Sequence, residues 1–160
     1  MILKMFAQPK GKQMDYIIKE TENFLELSTL FHNSGMGVSI SDRKPERIIK
    51  MWRMEDPESG ELMAAATLEV RDSVYSLGDI AVRSDLHKKG YGRIMQNTVF
   101  AEARKRGIKE LWACARVPEY YIHSGWSVMD WDSSPQIAVY CTSCGKRGKE
   151  CMPEIMKFTL

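Results

Sequence analysis

No apolar run in this chain approaches the ~20 residues that a helix needs to cross a bilayer, so a membrane span is not expected. A strong excess of one charge is missing too: the formal net charge is +2, with acids and bases intermixed. A general nucleic-acid binder would carry a basic tract or face to neutralise phosphates, so a partner of that kind is not expected either. The chain has no internal repeat and no low-complexity tract, which argues against a solenoid or a linker-rich protein. Its opening Met1-Ile2-Leu3-Lys4-Met5 does not read as a secretory leader, and a cytoplasmic location is the expectation. Cysteine is scarce, four in 160 residues, yet three of the four crowd into one tail at Cys141, Cys144 and Cys151. The length suffices for a single domain over 1–160 with a full core and no staples.

What is present concentrates in residues 77–93. Ile80-Ala81-Val82 reads as a buried strand interrupted on its N-terminal side by Asp79. A basic bend follows, His87-Lys88-Lys89-Gly90-Tyr91-Gly92-Arg93, with two glycines spaced G-x-G. Glycine lets a backbone approach a ligand without a Cβ in the way. A helix that begins at such a bend points unpaired N–H groups at it, and its dipole favours an anion. An isolated G-x-G is no more than a turn; strand, basic bend and helix in register point to phosphate.

The helix is well specified. Tyr91, Ile94, Met95, Val99 and Ala103 make an apolar stripe, with Gln96, Asn97, Glu102, Arg104 and Lys105 assigned to the other side. Gly107 stands where a C′ glycine belongs, and Ile108–Ala115 reads as the next strand. Strand, helix and strand at this spacing imply a right-handed crossover in a parallel or mixed sheet.

Upstream, Met14–Lys19 suits a first strand, with an edge segment expected near Leu3–Phe6. Thr21 is read as the N-cap of an amphipathic helix carrying Phe24, Leu25, Leu27, Leu30 and Phe31. Residues 36–45 look like a loop. The runs 47–54 and 62–70 read as paired strands across an Asp56-Pro57-Glu58-Ser59-Gly60 turn, and Asp72-Ser73 turns the chain into Val74–Leu77. The eleven methionines are read as adaptable core.

His87-Lys88-Lys89-Gly90-Tyr91-Gly92 resembles the pyrophosphate motif Q/R-x-x-G-x-G/A of the GNAT superfamily of N-acetyltransferases, with His87 in place of the usual Arg or Gln. Tyr121-Ile122-His123-Ser124-Gly125-Trp126 is similar to that family's later Y-x-x-x-G-F element, with Trp126 for Phe. The two motifs lie within residues 77–131. The resemblance implies an α+β fold of three layers, α/β/α, around a central mixed, mostly antiparallel twisted sheet with helices on both faces. It implies acetyl-CoA as co-substrate, held by Ile80, Ala81, Val82, His87, Lys88, Lys89, Gly90, Tyr91, Gly92 and Arg93. It implies acetyl transfer to a primary amine of a small molecule, with Tyr121 as general acid toward the CoA thiolate. A phenol titrating near ~10 is protonated at neutral pH and can donate. Tyr120 points elsewhere on a helix and is the weaker candidate.

A base must take a proton from the amine, and the tetrahedral oxyanion needs a donor, for which an amide beside Val82 is available. Asp79 is the first candidate base and Glu69 the second; His123 and Glu119 are fallbacks. A silent acyl-CoA-binding or sensing protein, and an enzyme acting on protein or peptide amines, stay open. Cys141-Thr142-Ser143-Cys144 is half a zinc site by spacing, and a fourth ligand would have to be Cys114, a distant histidine or a water. Reduced structural thiols rank ahead of metal, and metal ahead of a disulfide. The tail is also similar to tails on small relatives of N-acetylglutamate synthases, which hints at an amino acid as acceptor. A homodimer stays open, with Trp52 or Trp131 as interface markers if exposed.

Overall fold

The computed structural model describes residues 14–160; the edge segment expected near Leu3–Phe6 lies outside them. Seven strands form one sheet: β1 (Ile17–Glu20), β2 (Ile48–Glu55), β3 (Leu62–Arg71), β4 (Val74–Val82), β5 (Glu110–Ala115), β6 (Ser127–Met129) and β7 (Glu154–Thr159). Their order is β1-β2-β3-β4-β5-β7-β6. Only β4 and β5 run parallel; every other neighbouring pair is antiparallel. The helices are α1 (Phe24–Asn33), α2 (Tyr91–Lys105), α3 (Pro118–His123) and α4 (Val139–Thr142).

The alternation of strand residues explains the layers. Met51, Ala65 and Ala81 turn to one face and meet Phe24, Leu27 and Phe31 of α1. Trp52, Met54, Ala64, Ala66 and Leu77 turn to the other and meet Tyr91, Met95, Val99 and Ala103 of α2. Met51, Met54, Met63, Met95 and Met156 are all within 1 % of full burial and fill core, whereas Met14 and Met152 are exposed.

Several expectations need correcting. The first strand begins at Ile17, not Met14, because Ile17 pairs with Glu55, the last residue of β2. The α1 cap is Asn23, whose Oδ1 accepts from the Glu26 amide at 3.3 Å, while Thr21 Oγ1 accepts from the Asn23 amide at 3.1 Å. Gln96 is buried, not solvated: its Oε1 accepts the Trp126 indole N–H at 3.2 Å, which meets the indole's need for a partner in the core. Trp52 is buried and Trp131 lies under the Arg147 guanidinium at 3.8 Å, so neither is an open interface marker.

The pieces Val74–Leu77 and Ile80–Val82 are one strand, β4, bent by a register shift opposite Thr67. At that bulge a Cβ on Gly78 would overlap both the Thr67 hydroxyl and the Glu69 carboxylate. Neither can easily retreat: Thr67 Oγ1 accepts from the Asp79 amide at 2.9 Å, and Glu69 is paired with Arg47 at 3.0 Å. Gly78→Ala is therefore expected to destabilise the fold by about 1–3 kcal/mol, read as a lower urea midpoint at unchanged m-value.

Candidate functional site

The parallel pair β4/β5 is registered at a single place, Ser76 opposite Trp112. Beyond it the strands run on to Val82 and Ala115 without further pairing, so the sheet opens into a wedge. The Arg83 amide donates to the Met63 carbonyl at 2.9 Å on the β3 side. Antiparallel alternation then turns the amides and carbonyls of Val82 and Ile80 away from β3, toward the wedge. The wedge thus has a wall of backbone donors and acceptors that no strand takes up.

At its mouth lies the basic bend. Lys88 and Gly90 both take positive φ, 63° and 85°. Gly90 is the N-cap of α2 and contributes no side-chain cap, and the first helical bond runs from the Ile94 amide to the Gly90 carbonyl at 3.2 Å. The amides of Tyr91, Gly92 and Arg93 precede that bond and face the bend, an anion-binding arrangement. His87 closes the turn: its Nε2 donates to the Val82 carbonyl at 2.8 Å, which fixes the ring across the end of β4. The Tyr91 ring is core, its hydroxyl accepting from the Met14 amide at 3.0 Å, so only its backbone belongs to the bend. Ile80 and Val82 lean toward α2, while Ala81 packs under α1. Lys88, Lys89 and Arg93 are exposed around the turn; Arg93 also donates to the His123 carbonyl at 3.3 Å.

Deeper in, Asp79 and Tyr121 are brought within electrostatic reach of each other. Burial, reinforced by the Glu69 carboxylate and opposed by Arg47, pushes the Asp79 carboxyl up to about 7. Burial also raises the Tyr121 phenol above its ordinary value, with Tyr120, Cys114 and Asp79 adding to the shift. The Tyr121 ring stands edge-on to Trp126 at 5.3 Å, so the two aromatic positions of the later motif support one another. Glu69 is otherwise engaged, by Arg47 and by the Thr67 hydroxyl at 3.3 Å. Exposed His123 turns its Nδ1 to the Glu119 carbonyl at 2.7 Å, and exposed Glu119 stays with it on α3. Asp79 is the candidate whose carboxyl is pushed up toward neutrality and whose charge acts on the Tyr121 phenol.

Tyr120, ranked below Tyr121 from the sequence, gains a role of its own from the fold, and Arg116 escaped the sequence reading. The Tyr120 hydroxyl is buried with no hydrogen-bond partner among the described residues, and it would stand 3.2 Å from a Cβ on Gly92. It therefore aims at the first turn of α2, and burial pushes its phenol up to about 12. The Tyr-Tyr doublet was the available signal, since adjacent helical residues face about 100° apart. Arg116, just past β5, donates to the carbonyls of Gly35 and Ser34 (the latter at 3.2 Å), so it ties the end of α1 to the wedge. Nothing in its sequence context marked it.

Beside the end of β4, a groove of about 810 Å³ runs between α1 and the bend. Leu25, Leu30, Leu62 and Val82 supply its apolar lining, and Glu26 and Arg83 its charges.

A family model described as Acetyltransferase (GNAT) family matches residues 16–121. Among solved structures, N-acetylglutamate synthase from Neisseria gonorrhoeae, complexed with coenzyme A and N-acetyl-glutamate, is similar at TM-score 0.70 and 19% identity. That match covers 93% of this chain but 36% of the synthase, so the chain spans about a third of that protein. The ribosomal-protein-S18-alanine N-acetyltransferase from Escherichia coli is similar at TM-score 0.62 and 18% identity, over 90% of this chain and 93% of that one. A GNAT-family acetyltransferase from Staphylococcus aureus gives TM-score 0.65 at 12% identity, over 91% and 99% of the two chains. No curated protein sequence matches. The seven-stranded mixed sheet opened at one parallel pair is the fold these structures share with it.

Proposed function

From the premise that this chain belongs to the acetyltransferase (GNAT) family, we propose that it moves the acetyl group of acetyl-CoA to a primary amine of a small molecule, with Asp79 as base and Tyr121 as acid. The observation that carries this reading is the wedge itself, with an uncapped helix terminus at its mouth and with Asp79 and Tyr121 in electrostatic reach of each other. The cofactor diphosphate lies on the amides of Tyr91, Gly92 and Arg93, with Lys88, Lys89 and Arg93 adding charge. The pantetheine arm enters the wedge and pairs with the backbone groups of Ile80, since the Val82 carbonyl is held by His87 and its amide is left for the thioester oxygen. The Tyr120 hydroxyl finds its missing partner on the bound cofactor.

The reaction needs three proton or charge events. An ammonium at neutral pH must lose a proton before it attacks, and a carboxylate whose pKa sits near 7 is well matched to accept it, directly or through one water. Attack puts negative charge on the thioester oxygen, and the wedge-facing Val82 amide is the donor placed to hold it. Collapse expels the CoA thiolate, which takes the Tyr121 proton, while the extra proton still on the former amine nitrogen passes through water to the Tyr121 phenolate and restores the phenol. A thiol titrates near ~8.5 and a phenol near ~10 in water, so this transfer would be uphill there. Burial raises the phenol further, so the transfer is driven by the simultaneous loss of the nitrogen proton rather than by a match of the two pKa values.

The acceptor enters through the groove between α1 and the bend. Its volume is of the size that holds a small molecule, and it opens beside Val82, next to the carbonyl to be attacked. Its two lining charges are already paired, Glu26 with Arg53 at 3.0 Å and Arg83 with Asp85 at 2.7 Å, so the lining alone does not choose the acceptor. The N-acetyl-glutamate seen with the Neisseria synthase makes amino acids the first acceptors to test.

The test is a panel of amino acids and simple amines, followed by release of free CoA, on the parent protein and on Tyr121→Phe. The variant is expected to lose roughly 100-fold in kcat while keeping its affinity for acetyl-CoA. Equal turnover would remove the acid role. Tight binding of acetyl-CoA with no CoA release from any amine would instead mark a silent acyl-CoA sensor.

A further inference from the structure

We propose that Cys114, Cys141, Cys144 and Cys151 form a four-thiolate zinc site that fastens the C-terminal tail to β5. The spacing Cys141-x-x-Cys144-x6-Cys151 leaves one ligand short of a structural site. The fold brings the chain's fourth cysteine to that place: Cys114 Sγ on β5 lies 3.6 Å from Cys141 Sγ on α4. Tetrahedral Zn–S bonds of ≈ 2.3 Å place neighbouring sulfurs about 3.8 Å apart, whereas a disulfide requires ~2.05 Å. The observed separation matches an edge of a zinc tetrahedron. Cys151 is also close enough to act on the Cys114 thiol electrostatically.

The backbone of the tail is arranged for the same purpose. The Cys144 amide donates to the Cys141 carbonyl at 3.3 Å, a tight turn that keeps the two cysteines on one short loop. Gly145 follows it in open space. The Cys151 amide donates to the Lys146 carbonyl at 2.9 Å, and Arg147 bridges to Cys151, so Cys151 folds back onto the residues just past Cys144. Yet residues 142–150 are all exposed and contribute nothing to an apolar core. A loop of that length without a core needs another source of order, which a metal supplies.

Charge agrees with this assignment. Four thiolates around Zn²⁺ carry a net −2, and Lys146, Arg147 and Lys149 stand in the same loop. Arg147 is within electrostatic range of Cys114 and is itself seated on the Trp131 ring at 3.8 Å. Among the described residues no three His, Cys, Asp or Glu side chains already meet at one point. Cys114 and Cys141 are the pair already in contact; exposed Cys144 and half-buried Cys151 close on that pair when the metal binds. Binding releases the four thiol protons and changes no oxidation state.

The experiment uses the full chain, purified reduced and without chelator from zinc-supplemented medium. Elemental analysis is expected to give about one zinc per chain, and cobalt(II) added to demetallated protein is expected to give the thiolate-to-cobalt charge-transfer absorption of a tetrahedral sulfur site. Cys144→Ser, a change at an exposed position, should lower zinc affinity by at least tenfold while the far-ultraviolet circular dichroism stays as in the parent. Less than a tenth of an equivalent of zinc together with no cobalt absorption would overturn the proposal. So would a mass two hydrogens lower that maps to a Cys114–Cys141 disulfide. Because the readouts are metal content and spectrum, failure here leaves the acetyl-transfer reading untouched.

Discussion

Gly90→Glu is expected to abolish detectable acetyl-CoA binding, a loss of more than about 100-fold in affinity, while the protein stays folded. Gly90 sits at φ 85° and ψ 3°, at the N-cap of α2. A left-handed conformation costs a non-glycine residue roughly 1–2 kcal/mol. A carboxylate at a helix N-terminus gains back typically 0.3–1 kcal/mol from the dipole, and it can cap the amides of Gly92 or Arg93. The net effect on stability is therefore small. The effect on binding is not, because the new carboxylate satisfies the donors that the diphosphate needs and repels the diphosphate as well. Gly90→Ala separates strain from capping and charge: it carries the same left-handed cost but offers the amides no oxygen, so it should bind acetyl-CoA within several-fold of the parent. Titration calorimetry with acetyl-CoA, run beside thermal melts, reads both quantities. Unchanged affinity in the glutamate variant would remove the cradle and with it the acetyl donor.

That cradle was legible in the sequence because its information is local. Gly90 and Gly92, the basic residues around them and the apolar stripe of α2 lie within one stretch of chain, and each has its own backbone or dipole rationale. The two-residue turn at Asp72-Ser73 was equally local; both residues take the positive φ, 49° and 63°, that such a hairpin requires. What could not be read depends on distant partners. β7 inserts between β5 and β6, an order that no periodicity encodes. Gln96 looks polar on a helical wheel and is buried only because Trp126, thirty positions away, offers an indole N–H. The bulge at Gly78 was half visible: a glycine inside a strand pattern signals one, yet its register against Thr67 and Glu69 needs β3 in place. Asp79 was nameable as a carboxylate on a core strand, but its distinction from Glu69 comes from Arg47, which pairs with Glu69 at 3.0 Å. Tyr120 likewise acquires a reason only once α3 is laid across the first turn of α2.

The same bulge makes Asp79→Asn the second large effect, and it acts on activity and stability in opposite directions. With its carboxyl pushed up to about 7 by burial and by Glu69, Asp79 is half-protonated near neutrality. As the base, it works only when ionised, so kcat should rise with pH through about 7 in the parent. Asp79→Asn should lose roughly 100-fold in kcat above pH 8 and lack that rising limb. Stability follows from the same shift. Between the unfolded value of 3.8 and the folded value of about 7 the native state holds a proton that the unfolded chain has released. Native stability from this group is therefore complete below the unfolded pKa and falls as pH climbs through the folded one. A displacement of roughly three units corresponds at most to about 4 kcal/mol, and partial exposure of the site makes on the order of 2 kcal/mol the better expectation. Asparagine carries no charge to bury, so the variant should be more stable than the parent at pH 8 by that amount and show no such gain at pH 4. Urea unfolding at the two pH values, with the pH–rate profile of both proteins, reads the prediction. A variant that keeps the rising limb would move the base elsewhere. A variant that is no more stable at pH 8 than at pH 4, relative to the parent, would mean that the carboxylate is solvated after all and that the wedge is wetter than its walls suggest.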